Sequence, residues 1–152
     1  MRRRVAAMCL ALGLSSCGPI DFEYADGSAG RYADWRGHWV FVNYWAEWCA
    51  PCRYEIPQLN AFRAAMAGHD AMVVGVNFDG VDGAALQGLI HRMKIEFPVT
   101  TQDPRGRFGY EMPSVLPTTV VIDPKGTVAA TLVGPQTEET LRAVIGTSAG
   151  PS

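Results

Sequence analysis

The pentapeptide Trp48-Cys49-Ala50-Pro51-Cys52 follows an apolar run, Trp39 to Trp45, and precedes a helical pattern that begins at Pro51. The apolar run is typical of a buried β-strand. A strand that ends here delivers Cys49 to a helix N-terminus, where unpaired N–H groups and the macrodipole favour a thiolate. Pro51 suits the first helical turn, because its missing N–H has no intrahelical partner there. Cys52, one turn further on, is close enough for a disulfide with Cys49. The pattern suits reversible dithiol–disulfide exchange.

The N-terminal residues form a targeting pattern. Arg2-Arg3-Arg4 is basic, Val5 to Leu14 is apolar, and Leu14-Ser15-Ser16-Cys17 places small residues before a cysteine. The apolar run is too short to span a bilayer as a helix. The order of segments resembles a bacterial lipoprotein signal, and that resemblance implies cleavage before Cys17 and a lipid on its thiol. An ordinary secretory signal with a chance cysteine is the alternative.

Processing at that position fixes the predicted organisation. We expect a signal peptide over residues 1–16, a lipidated Cys17 with a very short tether to residue 19, a single domain over 20–146, and a loose tail over 147–152. Cys49 and Cys52 are then the only free thiols, because Cys9 leaves with the signal. The loss of three arginines and no acids takes the formal charge from −2 to −5. A mildly acidic domain without a basic cluster argues against nucleic-acid binding.

The rest of the chain alternates between strand and helix patterns. Near the N-terminus, Ile20–Tyr24 and Gly30–Ala33 flank the turn signal Ala25-Asp26-Gly27 and predict a β-hairpin. Pro57 is expected to kink the helix that follows Cys52. Further elements are predicted as strands over 72–78, 97–101, 118–122 and 128–133, and as helices over 51–67, 83–94, 103–110 and from Thr137 onward. This order argues for an α/β fold with a mixed central sheet and helices on both faces.

Three features together resemble the thioredoxin superfamily. Val42 to Cys52 matches its active-site segment, Pro57 falls where its active-site helix is bent, and Leu116-Pro117-Thr118 looks like its cis-proline segment. With Glu55, the match narrows to the TlpA/ResA-like branch of membrane-anchored thiol–disulfide oxidoreductases. The resemblance runs from about Pro19 to Ile145. It implies a thioredoxin-like fold with an N-terminal hairpin and a helix–strand insertion, 83–101, before the cis-proline.

The resemblance implies a role for each site residue. Cys49 is the nucleophile and the more exposed thiol, Cys52 is the resolving thiol, Glu55 handles the proton of Cys52, and Pro117 faces the disulfide. Pro113 is a competing cis-proline candidate, and the β-rich run after Pro117 favours Pro117. The expected substrate-contact residues are Trp48, Ala50, Pro51, Leu116 and Thr118.

Glu55 also has a simpler interpretation, a solvated helix carboxylate. Burial would raise its pKa and make it a usable proton acceptor. Asn43 stands where thioredoxins have a buried aspartate, and an amide cannot act as a base. Glu47 occupies a position that the branch more often fills with a small residue, and the sequence assigns it no role.

Two functions from different classes remain open. The first is an extracytoplasmic, lipid-anchored reductase of protein disulfides, such as those of apocytochrome c or copper-site cysteines, supplied with electrons by a membrane thiol reductant. Ala50-Pro51 lacks the histidine of oxidising relatives, which favours a reducing protein. The second is a thioredoxin-fold copper metallochaperone that uses the same cysteines. We expect no bound metal, because the chain offers no second pair of ligands at the spacing that a zinc site requires. We also expect a monomer with no cofactor beyond the Cys49–Cys52 disulfide.

Overall fold

The computed structural model describes residues 19–148. The signal peptide over 1–16, the lipidation of Cys17 and the end of the predicted tail, residues 149–152, lie outside the described residues. Within residues 19–148, no helix is both long enough and apolar enough to cross a bilayer.

A five-stranded mixed sheet organises the domain. Its order is β5-β4-β3-β6-β7, with β4 parallel to both β3 and β5, and with β6 antiparallel to both β3 and β7. The strands are β3 (Trp39–Trp45), β4 (Ala71–Asn77), β5 (Val99–Thr100), β6 (Thr118–Ile122) and β7 (Val128–Val133), preceded by a separate hairpin of β1 (Phe22–Glu23) and β2 (Ala29–Gly30). The helices are α1 (Ala50–Ala65), α2 (Gly83–Met93), α3 (Arg105–Phe108) and α4 (Glu138–Ser148). The thioredoxin-like arrangement expected from the sequence is therefore present.

Alternation along the central strand β3 divides the core into two layers. Phe41 and Trp45 point to the side where α1, α2 and α4 pack. Val40, Val42 and Tyr44 point to the other side, which is covered by the hairpin, a 3₁₀ helix over Tyr32–Trp35 and α3. Because strand side chains alternate with a period of two, Asn43 faces the same layer as Phe41 and Trp45. The three long helices lie on one face, and α3 with the 3₁₀ helix lies on the other, so the sheet carries helices on both faces as the sequence predicts.

The second hairpin strand is shorter than predicted. The sequence predicts strand over Gly30–Ala33, but β2 ends at Gly30 and Tyr32 begins the 3₁₀ helix. Side chains explain the change, because the Asp21 carboxylate accepts from the Tyr32 N–H at 2.8 Å and Arg31 pairs with Asp34 at 2.9 Å. These bonds favour a turn over a continued strand.

Most remaining boundaries agree with the sequence to within two residues. The helix α1 begins at Ala50 and contains Pro57, and α4 continues to Ser148, two residues past the predicted end of the domain at residue 146. The first strand begins at Phe22 rather than Ile20, although the Asp21 N–H already bonds to the Gly30 carbonyl at 3.0 Å.

Candidate active site

The disulfide Cys49–Cys52 lies where β3 passes into α1. Cys49 is the N-cap residue of α1, and its sulfur accepts from the Cys52 N–H at 3.2 Å. The Cα atoms of the two cysteines are 5.3 Å apart. Cys49 is 4% exposed and Cys52 is fully buried, so Cys49 is the more accessible of the two, although most of it is covered. A molecule that approaches from solvent therefore reaches the Cys49 sulfur before that of Cys52.

The Leu116–Pro117 peptide bond is cis. Because β6 is antiparallel to β3, with Thr118 opposite Tyr44, the residue before β6 lies at the end of the sheet from which Cys49 emerges. The Gly134 N–H donates to the Pro117 carbonyl at 2.9 Å, which ties this segment to the start of the β7–α4 loop. Leu116 packs against the core cluster that contains both cysteines.

Glu55 is a buried carboxylate in the second turn of α1, only 1% exposed. Its Oε2 accepts from Asn43 Nδ2 at 2.8 Å, and its Oε1 accepts from the Gln136 N–H at 3.1 Å. The second hydrogen of Asn43 Nδ2 reaches Thr119 Oγ1 at 3.0 Å. The carboxylate lies one helical turn from Cys52, so the two side chains occupy the same face of α1.

Burial has the largest effect on the pKa of the Glu55 carboxyl. Removal from water raises the pKa of Glu55 to about 7, while the hydrogen bonds from Asn43 and Gln136 act in the opposite direction. A carboxyl group with a pKa near neutrality can both take up and release a proton at physiological pH. The solvated-carboxylate interpretation of Glu55 is therefore wrong, and its position suits proton exchange with Cys52.

The aromatic residue before the disulfide is exposed but fixed in place. Trp48 is 65% exposed, and its indole N–H donates to both oxygens of Asp79 at 3.0 and 3.2 Å. Its ring also meets Phe78 edge-on. Trp48 thus forms one wall of an open groove of about 660 Å³ between the disulfide loop and α2.

Glu47, which the sequence left without a role, links the disulfide loop to α2. Its carboxylate accepts from Arg92 Nε at 2.8 Å, and this contact lowers the pKa of Glu47. Its carbonyl oxygen accepts from Arg53 at 2.8 and 3.2 Å. Two guanidinium groups therefore hold Glu47, that of Arg92 at its side chain and that of Arg53 at its backbone, immediately before Trp48 and Cys49.

The structure brings most of the predicted site residues to one end of the sheet. Ala50 and Pro51 are exposed beside the disulfide, Leu116 is half-buried, and Pro117 is buried. Thr118 is different, because its side chain is 2% exposed and its hydroxyl donates to the Val115 carbonyl at 2.8 Å. The residue as a whole is covered, between Tyr44 of β3 and Val133 of β7, so the structure does not place Thr118 on the surface where a substrate contact was predicted.

Three contributors to the site were missed from the sequence. The sequence identifies Asn43 only as unable to act as a base, includes Thr119 in a predicted strand, and assigns Gln136 no role. Asn43 carried a usable signal, because an amide inside a continuous apolar strand needs a polar partner. Gln136 acts through its backbone N–H, which leaves no trace in a side-chain pattern.

Within residues 19–148, no three or more His, Cys, Asp or Glu residues are arranged so that they could hold a metal ion.

Comparison with known proteins agrees with this geometry. The AhpC/TSA family profile matches residues 19–131. The thiol–disulfide oxidoreductase ResA of Geobacillus kaustophilus (strain HTA426) is 30% identical over 131 residues, which cover 85% of this chain and 74% of the relative. ResA of Bacillus thuringiensis (strain Al Hakam) is 28% identical over 116 residues, or 76% of this chain and 66% of the relative. The chain thus spans about two thirds to three quarters of the length of these relatives.

A solved structure shows the same arrangement. A putative thiol:disulfide interchange protein DsbE from Chlorobium tepidum superposes with a TM-score of 0.67 at 30% sequence identity, covering 85% of this chain and 92% of that one.

Proposed function

Since the chain belongs to the AhpC/TSA family, and to the thiol–disulfide oxidoreductases within it, we propose that it reduces disulfides of protein substrates outside the cytoplasm through Cys49 and Cys52. The single observation that carries this proposal is the disulfide at the N-terminus of α1, with the buried Glu55 on the same helix face.

A protein substrate is supported by the surface around the disulfide. Five large hydrophobic residues within the described part of the chain are exposed. Four of them lie at the disulfide end: Trp48, Tyr54, Val115 and Val133. Trp48 and Tyr54 flank the cysteines in sequence, Val115 precedes the cis-proline, and Val133 pairs with Thr118. An apolar rim around a reactive group is characteristic of a protein-docking surface.

The reaction transfers two electrons from the reduced protein to the substrate. The Cys49 thiolate attacks one sulfur of the substrate disulfide, forms a mixed disulfide and releases the first substrate thiolate. The Cys52 thiol gives its proton to Glu55, and the resulting thiolate attacks Cys49 Sγ. This step forms the Cys49–Cys52 disulfide and releases the second substrate thiolate, which takes up a proton. A membrane thiol reductant then restores the dithiol.

The proposed direction follows from the residues between the cysteines. Ala50 and Pro51 bring no positive charge to the Cys49 thiolate, so the reduced form gains little stability from this dipeptide. We expect a potential nearer to that of thioredoxin, about −270 mV, than to that of DsbA, about −120 mV. Equilibration of the purified protein with glutathione buffers measures this quantity. A value near the oxidising end would overturn the reductase proposal.

The proposed location rests on the N-terminal signal. A lipid on Cys17 would anchor the domain to a bacterial membrane. The tether would be short, because the backbone is already hydrogen-bonded within the folded domain from Asp21 onward. The three residues between Cys17 and Asp21 span at most about 10 Å when extended. The disulfide would therefore act close to the bilayer, where apocytochromes or copper-site proteins with their own anchors are concentrated.

Replacing Cys17 by Ser tests the anchor separately from the chemistry. The variant should be recovered in the soluble fraction, reduce insulin at the wild-type rate and fail to restore its membrane task in a deletion strain. Full complementation by this variant would show that the tether is dispensable.

A further inference from the structure

The side chain of Asn43 is shared between a proton acceptor and a hydroxyl group. Its Nδ2 group donates one hydrogen to Glu55 Oε2 and the other to Thr119 Oγ1, while its Oδ1 is buried without a hydrogen-bond partner. A buried carbonyl oxygen without a partner is uncommon and costs about 1–3 kcal/mol. The arrangement therefore stabilises the ionised Glu55 carboxylate but leaves the Asn43 side-chain oxygen without a hydrogen bond.

The position of an added proton on Glu55 is determined by its other oxygen. Oε1 accepts from the Gln136 N–H, a backbone donor that cannot become an acceptor. A proton taken up by the carboxylate therefore resides on Oε2. In the present arrangement it would point at the hydrogens of Asn43 Nδ2, and two donors would face each other.

Building on the proposed reductase function, we propose that Asn43 is a positioning residue that reverses its amide when Glu55 gains a proton. The oxygen and nitrogen of an amide are nearly equal in size, so a half-turn exchanges them with little repacking. Oδ1 then accepts from the Glu55 carboxyl and from the Thr119 hydroxyl. Thr119 Oγ1 changes from acceptor to donor, which a hydroxyl can do by rotating its hydrogen.

Both states satisfy Glu55 and Thr119, and each leaves one atom of Asn43 unpaired. Asn43 thereby lets Glu55 hold or release the proton of Cys52 without exposure to water. An aspartate here would place a second negative charge against the carboxylate, and an aliphatic residue would give the ionised form no donor.

Among residues 19–148, the groups that pack against Glu55 carry no charge, so the proton on Glu55 itself drives this reversal. Strand β3 contributes Asn43, β6 contributes Thr119 and the loop before α4 contributes Gln136, all of them uncharged. From α4, Glu138 is paired with Arg142 at 2.8 Å, and no charged neighbour within residues 19–148 contributes to the pKa of Glu55. The remaining titratable partner is the Cys52 thiol of the reduced protein.

NMR of the oxidised protein tests the reversal without measuring catalysis. We expect the side-chain amide resonances of Asn43 to titrate with the same midpoint as the Glu55 carboxyl carbon. In Glu55→Gln, the Gln136 N–H selects the oxygen of the new amide, so its NH₂ faces Asn43 and mimics the protonated acid. The Asn43 resonances of this variant should match the low-pH form of the wild type at every pH. The proposal would be overturned if the Asn43 amide resonances did not change as Glu55 titrates. It would also be overturned if those resonances in Glu55→Gln matched the high-pH form of the wild type.

A matched pair of substitutions tests the positioning role. Asn43→Leu removes the donor to the ionised form, and we expect the Glu55 midpoint to move up by at least one pH unit. Asn77→Leu removes another buried amide, one that accepts from the Val81 N–H, and it should leave the midpoint unchanged. Equal midpoints in wild type and Asn43→Leu would contradict the proposal. If Asn43→Leu does not fold, the NMR spectra of Glu55→Gln still test whether the Asn43 amide reverses. An oxidising potential would refute the reductase proposal but leave these titrations unaffected.

Discussion

Replacing Glu55 by Gln in the oxidised protein removes a buried charge while it keeps the length and the hydrogen-bonding capacity of the side chain. The wild-type carboxyl is 1% exposed, and burial raises its pKa from 4.5 to about 7. In the unfolded chain the same group titrates near its ordinary value. The folded protein therefore binds this proton more tightly than the unfolded chain.

The sign and size of the effect on stability follow from this difference. Below about pH 4 the carboxyl is neutral in both states, and its stabilising effect on the folded form is fully present. As the pH rises from 4.5 through 7, the unfolded chain ionises first and that effect is lost. One pKa unit corresponds to about 1.4 kcal/mol, so the loss amounts to about 3 kcal/mol. Above about pH 8 no further change is expected from this group.

Urea unfolding of wild type and Glu55→Gln between pH 4 and pH 9 measures the effect. The free energy of unfolding of the variant, minus that of the wild type, should rise by about 3 kcal/mol across this range, mostly between pH 4.5 and 7. Other titrating groups cancel in the difference. Glu96→Gln, at an exposed position, should give a flat difference. A flat difference for Glu55→Gln as well would refute the conclusion that burial controls this carboxyl.

Three further outcomes are expected. Cys52→Ser should accumulate mixed disulfides with protein substrates, and Cys49→Ser should not, because Cys49 is the more accessible sulfur; mass spectrometry of trapped adducts would distinguish the two. Trp48→Ala should raise KM for protein disulfides about tenfold but leave the reaction with a small aromatic disulfide unchanged, and equal effects on both would contradict a docking role. Gly75→Ala should destabilise the fold by about 1–3 kcal/mol in thermal unfolding. Its Cβ would lie 2.9 Å from the Phe97 ring, whereas Gly106→Ala meets nothing within 4 Å and should cost nothing.

The sheet and the long helices could be predicted because each produces a local pattern. The central strand is a continuous apolar run, and the apolar residues of α1 recur at helical spacing. The 3₁₀ helix at Tyr32–Trp35 could not be predicted in this way. It depends on Asp21, eleven positions away, whose carboxylate binds the Tyr32 N–H.

The cysteines and the cis-proline segment could be assigned from the sequence, but the surroundings of Glu55 could not. Asn43 reaches Glu55 only because β3 lies beneath α1, and Thr119 joins them because antiparallel pairing sets it opposite Asn43. The Gln136 backbone N–H, which bonds to Glu55, lies 81 positions away from it along the chain. Contacts of this kind depend on the register of the sheet and on loop geometry, neither of which follows from local periodicity.

The indole of Trp48 has a consequence for the cost of forming a complex. A large exposed side chain normally loses rotational freedom when a partner covers it, at about 0.5–1.5 kcal/mol per side chain. Here the Asp79 carboxylate and the edge of Phe78 already hold the ring in one orientation. Most of that entropy is lost during folding, before any partner arrives. At the upper end of the range, this rigidity alone is worth about a tenfold gain in affinity over a freely rotating tryptophan.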